Sequence, residues 1–271
     1  MPEVALLLIA LLTAGIIGGV LAGLLGVGGG IVVVPALEFV LEWYGVPSTF
    51  RMHIAVATSL AVIIPTSISS ARAHHKRGTV DTALAKRWAP LLGIGSVIGV
   101  LVASQVSGPT LTAIFSAFAI LVAVKMALPL DRKTITTAVP TTPAMGIVPT
   151  TIGAISSMMG IGGGTLTVPT LTLCGEPIHR AVGTSALFGL IISVPGAIAF
   201  IVAGWGNPLL PPGSLGFVSL AGFILIAPTT VLCAPLGARL AHALSRRALS
   251  LLFGIFLLIV AVRMLVQALQ G

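Results

Sequence analysis

The chain has 271 residues, of which 56% are hydrophobic and only 7% are charged. Soluble proteins carry about 25% charged residues, and a soluble core of this size cannot hide so many apolar side chains, so the composition excludes a soluble protein and predicts an all-α integral membrane protein. The net charge of +8 would favour a nucleic-acid partner in a soluble protein. Here the basic residues fall in short loops between apolar runs, which is an orientation signal, and we expect no nucleic acid as partner.

Eight apolar runs reach about the 20 residues that a membrane crossing needs. In chain order they cover 4–25, 53–71, 88–105, 109–128, 144–159, 181–203, 214–236 and 248–266. Two shorter apolar pieces, at 31–43 and 165–174, each follow a glycine-rich break. The first run has no basic residues before it and no small-residue cleavage site, so we interpret it as a membrane segment and not as a removable signal peptide. Trp43, Trp88 and Trp205 fall near segment ends, where the headgroup layer suits an indole ring.

The chain carries an internal duplication. The residues Leu24–Leu37, LLGVGGGIVVVPAL, return as MMGIGGGTLTVPTL at Met158–Leu171, with an offset of 134 positions (160 − 26 = 134). A second block, HIAVATS at His53–Ser59, returns as HRAVGTS at His179–Ser185, with an offset of 126 (179 − 53 = 126). We therefore predict two transmembrane repeats, residues 1–133 and residues 134–271, with the boundary in a polar linker.

The positions of lysine and arginine predict the orientation. Five basic residues crowd the loop 71–87, which we place in the cytoplasm, whereas the turns at 104–109 and 205–213 are uncharged and are placed outside. This scheme inverts the two halves and puts both termini in the periplasm of a multi-pass inner-membrane protein. Each half then has three full crossings and a glycine-broken segment that enters and leaves on one side. It leaves Arg263 near the outer face.

The two glycine loops, residues 26–30 and 160–164, are the first candidate substrate site. Glycine-rich turns expose backbone N–H groups, and the short apolar pieces that follow would present helix N-termini, which bind anions. The proposed ligands are Gly28, Gly29, Gly30, Gly162, Gly163, Gly164 and Thr165. The alternative is that these small residues only let membrane helices approach each other. A nucleotide loop is improbable, because neither copy continues into Gly-Lys-Ser/Thr.

Polar residues of the second repeated block add further candidates. Thr58, Ser59, Thr184 and Ser185 are predicted at equal depth, about 8–9 Å into helices that begin at His53 and His179. Their hydroxyls could donate to an oxyanion, or bond back to their own helices.

Basic residues and histidines lie at the two predicted helix starts. The two histidines could cap their helices or line entrances, and Arg51 and Arg180 beside them could draw anions toward opposite faces.

Residues for other chemistry are missing from the sequence. Most of the six acidic residues lie at segment ends, and this placement disfavours both cation transport and coupling through a carboxylate. No His, Cys or Asp cluster has metal-ligand spacing. We therefore expect no enzyme activity, no catalytic residue, no metal and no cofactor.

The doubled Gly-x-Gly-Gly-Gly followed by Val-Pro-x-Leu, half a chain apart in a hydrophobic protein of this length, resembles the TauE/SafE family of sulfite exporters. The resemblance covers essentially the whole chain. It implies an inner-membrane carrier for small sulfur-containing or organic anions, such as sulfite or sulfoacetate, with membrane lipid as its other partner. Alternating access between inverted halves is the leading hypothesis; an anion channel and a packing protein without a solute path are the alternatives. The oligomeric state is left open.

Overall fold

The computed structural model describes residues 2–26, 28–127, 144–240 and 246–270. Ten helices form in these ranges: α1 Pro2–Leu25, α2 Gly30–Trp43, α3 Ser48–His75, α4 Thr82–Gln105, α5 Gly108–Ala127, α6 Ala144–Met158, α7 Gly164–Leu173, α8 Ile178–Ala203, α9 Leu220–Leu240 and α10 Arg246–Gln270. A short antiparallel hairpin, β1 Ser214–Leu215 and β2 Val218–Ser219, precedes α9. The predicted helical architecture is confirmed. The predicted boundary between the repeats lies in 128–143, outside the described residues.

Within the described ranges, four helices, α3, α4, α8 and α9, are long and apolar enough to cross a membrane. Four shorter apolar stretches, Leu8–Leu24, Gly108–Val124, Gly146–Met158 and Leu257–Leu269, lie in α1, α5, α6 and α10. Together these stretches coincide with the eight predicted runs, and α2 and α7 coincide with the two short pieces that follow the glycine loops. Length and composition thus support four spans, and the total of eight crossings stays a prediction.

One predicted helix start is wrong. The helix α3 begins at Ser48 and not at His53, whereas α8 begins at Ile178, one residue from the predicted His179. Both follow a Gly-x-Pro turn whose proline is the N-cap, and these turns are 130 positions apart (175 − 45 = 130) while the histidines are 126 apart. The helix α3 therefore has four more residues than α8, about one helical turn, before its histidine.

The helices α3 and α8 pack against each other in opposite directions, and α3 is the most buried of the four long helices. Gly189 of α8 lies against Ser67, and Gly196, one further heptad along α8, lies against Leu60 of α3. Residue numbers rise along one helix as they fall along the other, so the two helices are antiparallel. They are also equivalent elements of the sequence duplication.

Small residues allow close packing of the helices α1, α4, α6 and α9. The helix α1 packs on α9 and α4 packs on α6, and these two pairs are equivalent under the duplication. A methyl group on Gly19 would collide with the backbone of Thr230, and one on Gly95 would collide with the carbonyl of Thr150. In lipid, where apolar burial does not drive association, such close backbone contact is the main source of helix packing energy.

The environment of Trp88 differs from the prediction. Trp43 and Trp205 are exposed, but Trp88 is buried and its ring stacks on Phe188, with ring centroids 5.5 Å apart and 7° between planes. The reason is that α4 begins at Thr82, so Trp88 lies nearly two turns inside the helix, about 9 Å from its start. It is a core residue between α4 and α8.

Candidate functional site

The two glycine loops meet beside the middle of α3. A methyl group on Gly30 would overlap the carbonyl oxygen of Gly160 and come within 2.9 Å of the Ile63 side chain. The Ser59 hydroxyl donates a 2.7 Å hydrogen bond to the same Gly160 carbonyl. Since Ser59 and Ile63 lie eleven and fifteen residues into α3, the loops lie about 17–22 Å from the start of that helix. The candidate loops of both repeats are thus brought together in the interior.

The loops have different backbone conformations despite their matching sequences. Gly28 and Gly29 of the first loop have φ angles of 74° and 76°, in the left-handed region that favours glycine. In the second loop Gly162 has a φ of 53°, but Gly163, the equivalent of Gly29, has a φ of −47° and is right-handed. The two halves therefore differ at the residue that starts each short helix.

Both short helices begin without a side-chain cap. Gly29 and Gly163 are the N-caps of α2 and α7, which begin at Gly30 and Gly164, and neither cap makes a side-chain hydrogen bond. All four glycines are buried. Within the described ranges, their amide groups donate to no backbone or side-chain oxygen. Free N–H groups at the positive end of a helix dipole are suited to binding an anion.

The paired threonines hold the starts of two other helices. The Thr58 and Thr184 hydroxyl oxygens accept 2.9 Å hydrogen bonds from the backbone N–H groups of Ser219 and Asp81, respectively. Ser219 and Asp81 directly precede α9 and α4, and each side chain accepts an N–H three residues further on. Because of the shifted helix start, the threonines lie about 15 and 9 Å into their helices, not at equal depth. Their acceptor role is structural, and each hydroxyl keeps a proton to donate.

The paired serines are in different states. Ser59 donates to Gly160, whereas Ser185, its equivalent, is fully buried and its hydroxyl has no hydrogen-bond partner in the part of the chain that the structure describes. The equivalent acceptor would be the carbonyl of Gly26. The buried Thr165 hydroxyl is likewise without a partner there. An unpaired buried hydroxyl costs about 1–3 kcal/mol, so a ligand that accepts these hydrogen bonds gains affinity.

Ser67 is a further candidate that the sequence reasoning missed. Its hydroxyl is buried and has no partner among the described residues. It lies against Gly189 of α8, which is one helical turn from Ser185 on the same face. A signal was present in the sequence, because Ser67 recurs as Ser193 with the same offset of 126 as the histidine block (193 − 67 = 126).

The two histidines occupy different environments. His53 is buried, with Nε2 at 3.0 Å from the carbonyl oxygen of Ala103 and 3.1 Å from that of Val106, and its ring stacks on Phe217. It thereby ties α3 to the end of α4. His179 is the second residue of α8 and is exposed. A gating role for either histidine stays a prediction.

Arg51 lies in a cluster of charges at one end of α2. Its guanidinium is 3.3 Å from Glu42 and 3.8 Å from Glu38. Glu38 is only 4% exposed, a buried acid that the sequence reasoning did not place. Arg263 lies 3.5 Å from Glu42 and 4.4 Å from the centre of the Phe39 ring, so a carboxylate compensates its charge.

Arg180 is also paired with acids. Its guanidinium is 2.7 Å from Asp81 and 3.7 Å from Glu176, with about half of the side chain exposed. These carboxylates offset the positive charge that Arg180 presents to an approaching anion. Attraction of anions by Arg51 and Arg180 therefore stays a prediction. The neighbouring carboxylates, which the sequence did not reveal, would weaken it.

Comparison with known proteins identifies the family. The family described as "Sulfite exporter TauE/SafE" matches residues 11–264, nearly the whole chain. The chain belongs to the TauE/SafE sulfite exporter family. Membership and the apolar helices establish an integral, multi-pass membrane protein that acts as a transporter of the TauE/SafE type.

Several curated proteins resemble this TauE/SafE member over most of their length. A probable membrane transporter protein of Haemophilus influenzae is 37% identical over 94% of this chain and 97% of its own. Probable membrane transporter proteins of Methanocaldococcus jannaschii and Bacillus subtilis are 27% and 30% identical, over 97% and 76% of this chain and 97% and 84% of their own. No solved structure matches the chain.

Proposed function

We propose that the protein is a secondary transporter that exports a small sulfur-containing or organic anion, such as sulfite or sulfoacetate. The observation that carries the proposal is the contact of the two glycine loops, where Gly30 lies against Gly160. Each loop leads into an uncapped helix N-terminus, at Gly30 and at Gly164, whose buried amides have no acceptor among the described residues. Neutral donors hold an anion without a buried fixed charge, which would be costly in the membrane interior. The family description, sulfite exporter, supports export as the direction.

The substrate would lie between the glycine loops and the hydroxyls that face them. Ser185 and Thr165 supply buried hydroxyls that have no partner in the described ranges, and the loop amides supply further donors. An oxyanion with three sulfonate or sulfite oxygens can accept from several such donors at once. Gly28 and Gly162 would shape the turns that aim the amides, while Thr58 and Thr184 would fix the helices around the site.

The antiparallel packing of α3 and α8 supports inverted halves. These helices are equivalent in the duplication, and Gly189 lies on Ser67 while Gly196 lies on Leu60, so equivalent helices run in opposite directions. With the basic loop 71–87 in the cytoplasm, both termini of the inner-membrane protein face the periplasm. Inverted halves around one central site allow that site to open to either side in turn.

Differences between the halves support alternating access. Ser59 is bonded to Gly160 while Ser185 has no partner among the described residues, and Gly29 is left-handed while Gly163 is right-handed. A two-state carrier with duplicated halves is expected to hold its halves in different conformations. In the opposite state the roles exchange: Ser185 bonds to the carbonyl of Gly26, and Ser59 is free to meet the substrate.

Counterflow in proteoliposomes tests the proposal. Vesicles loaded with unlabelled sulfoacetate, sulfite or taurine are diluted into labelled substrate, and a carrier accumulates label transiently above equilibrium. Saturable accumulation of at least one anion is the expected result. Rapid equilibration without saturation or overshoot identifies an anion channel, and no flux of any anion identifies a protein without a solute path; either result overturns the proposal.

A further inference from the structure

A groove between α3 and α9 lies away from the glycine loops. It encloses about 550 Å³, and its apolar walls include Pro65, Ile68, Val231 and Pro235. The Ser69 hydroxyl donates a 3.0 Å hydrogen bond to the Val231 carbonyl and so joins the two helices that line the groove. The inner part of the groove is therefore lined mainly by aliphatic side chains.

The outer part of the groove is strongly basic. Arg72, Lys76, Arg77 and Arg239 line it, and all four are exposed. In the described parts of the chain none of them lies within an ion pair with a carboxylate. One guanidinium N–H of Arg77 donates to the carbonyl of Ala238, at 2.8 Å, which holds that side chain across the groove. Four cations around one cavity, with no carboxylate paired to them among the described residues, favour an anionic ligand.

The groove is on the opposite side of α3 from the candidate substrate site. Pro65, Ile68 and Arg72 are three and four residues apart, so they share one helix face. Ile63 and Ser67, which contact Gly30 and Gly189, are turned about 200° from Pro65 at 100° per residue. An anion in the groove therefore does not share the site formed by the glycine loops.

We propose that this groove binds one anionic phospholipid, with its phosphate among Arg72, Lys76 and Arg239 and an acyl chain along Pro65 and Val231. Basic cavities between membrane helices recognise anionic headgroups, and each nearby lysine or arginine contributes about 1 kcal/mol. The aliphatic walls would not stabilise a free anion, which has no apolar part to bury. A zwitterionic lipid would leave the cations uncompensated. Leu232 and Leu236, exposed on α9 beside the groove, continue the apolar surface into the bilayer.

Native mass spectrometry of the full-length, delipidated protein in neutral detergent tests the proposal. The titrants are dioleoylphosphatidylglycerol and dioleoylphosphatidylcholine, and the variant is Lys76→Gln/Arg239→Gln. Its matched control is Lys86→Gln/Arg87→Gln, which removes two exposed charges of α4 outside the groove. We expect the groove variant to bind phosphatidylglycerol about 30-fold more weakly, from two cations at about 1 kcal/mol each, and the control to bind it as the wild type does.

A second variant keeps every charge. Val231→Phe fills the apolar part of the groove, and we expect it to weaken phosphatidylglycerol binding as well. Glycerol phosphate, inorganic phosphate and sulfite are added as competitors, and we expect none of them to displace the lipid at millimolar concentration. If the groove variant and its control lose the same amount of phosphatidylglycerol affinity, general surface charge explains the binding and not the groove. Displacement by sulfite or phosphate would make the groove a site for free anions. Each of these results overturns the proposal.

Discussion

The Ser59 hydroxyl donates a 2.7 Å hydrogen bond to the carbonyl oxygen of Gly160. This bond joins the central helix of the first repeat to the glycine loop of the second. The equivalent donor, Ser185, is buried without a partner among the residues described. One half of the candidate site is therefore closed by a protein contact, while the other half keeps a hydroxyl that a substrate oxygen can use.

The two serines are predicted to respond differently to substitution. Ser185→Ala removes a donor to a charged acceptor, which costs about 1.5–3 kcal/mol, and should weaken sulfoacetate binding roughly 10- to 150-fold. Because it also removes a buried hydroxyl without a partner among the described residues, it should not lower the free energy of unfolding of the unliganded protein. Ser59→Ala removes an internal hydrogen bond and should lower the free energy of unfolding by about 0.5–1.5 kcal/mol. Isothermal titration measures the affinity of both variants for sulfoacetate, and thermal unfolding measures their stability. Unchanged affinity in Ser185→Ala would make its hydroxyl structural.

Thr58→Val should destabilise the protein more than Thr58→Ser does. The Thr58 oxygen accepts the N–H of Ser219 at the start of α9. Valine leaves that partly buried donor without its partner, at a cost of about 1 kcal/mol, whereas serine keeps the acceptor. Thermal unfolding in detergent compares the two variants. Similar melting temperatures for both would show that the hydroxyl is not needed at this helix start.

The equivalent glycines should differ in their tolerance of alanine. Gly29 has a φ of 76° and its backbone lies against Gly18, so Gly29→Ala incurs about 1–2 kcal/mol of strain and a backbone clash. Gly163 has a φ of −47°, and its neighbours are the side chains of Ile192, Thr167 and Phe188. We expect Gly163→Ala to fold but to lose transport, and Gly29→Ala to be poorly folded. Size-exclusion chromatography and counterflow separate the effects, and normal transport by Gly163→Ala would argue for a packing role.

The negative charge of Asp81 beside Arg180 can be removed while residue 81 still caps the start of α4. Asparagine at position 81 still accepts the N–H of Leu84 but loses the charge that lies 2.7 Å from Arg180. If Arg180 attracts the substrate, Asp81→Asn should raise the apparent affinity about two- to fivefold at low salt, and Arg180→Gln should lower it. Both effects should vanish at high salt. Variants that respond equally at all ionic strengths would exclude electrostatic attraction.

The orientation is tested by labelling single cysteines in a Cys174→Ser/Cys233→Ser background. His75→Cys, at the end of α3, should be protected from an impermeant thiol reagent in intact cells, while the matched exposed position Leu209→Cys should be labelled. Both should react after the membrane is opened, which controls for access. Labelling of residue 75 from outside would reverse the proposed topology.

The helices could be predicted because their signals are local. Apolar runs of about 20 residues have few alternatives to a membrane helix, and the repeated glycine motif marks the breaks directly. The start of α3 was predicted wrongly because its first turn, Ser48–Met52, carries polar residues and Arg51 that interrupt the apolar pattern. Arg51 is accommodated there by Glu38 and Glu42, which come from another helix and so are invisible in the local sequence.

The sequence by itself determined that this is a helical membrane protein of two related halves, with glycine loops that break equivalent helices, because these properties depend on composition and short repeated motifs. Only the tertiary structure decided that Ser59 is bonded while Ser185 has no partner among the described residues, that Gly29 is left-handed and Gly163 right-handed, and that Thr58 and Thr184 hold helix starts. Equivalent residues have nearly the same local sequence. Their states differ because each is set by partners more than 100 positions away, such as Gly160 for Ser59 and Asp81 for Thr184.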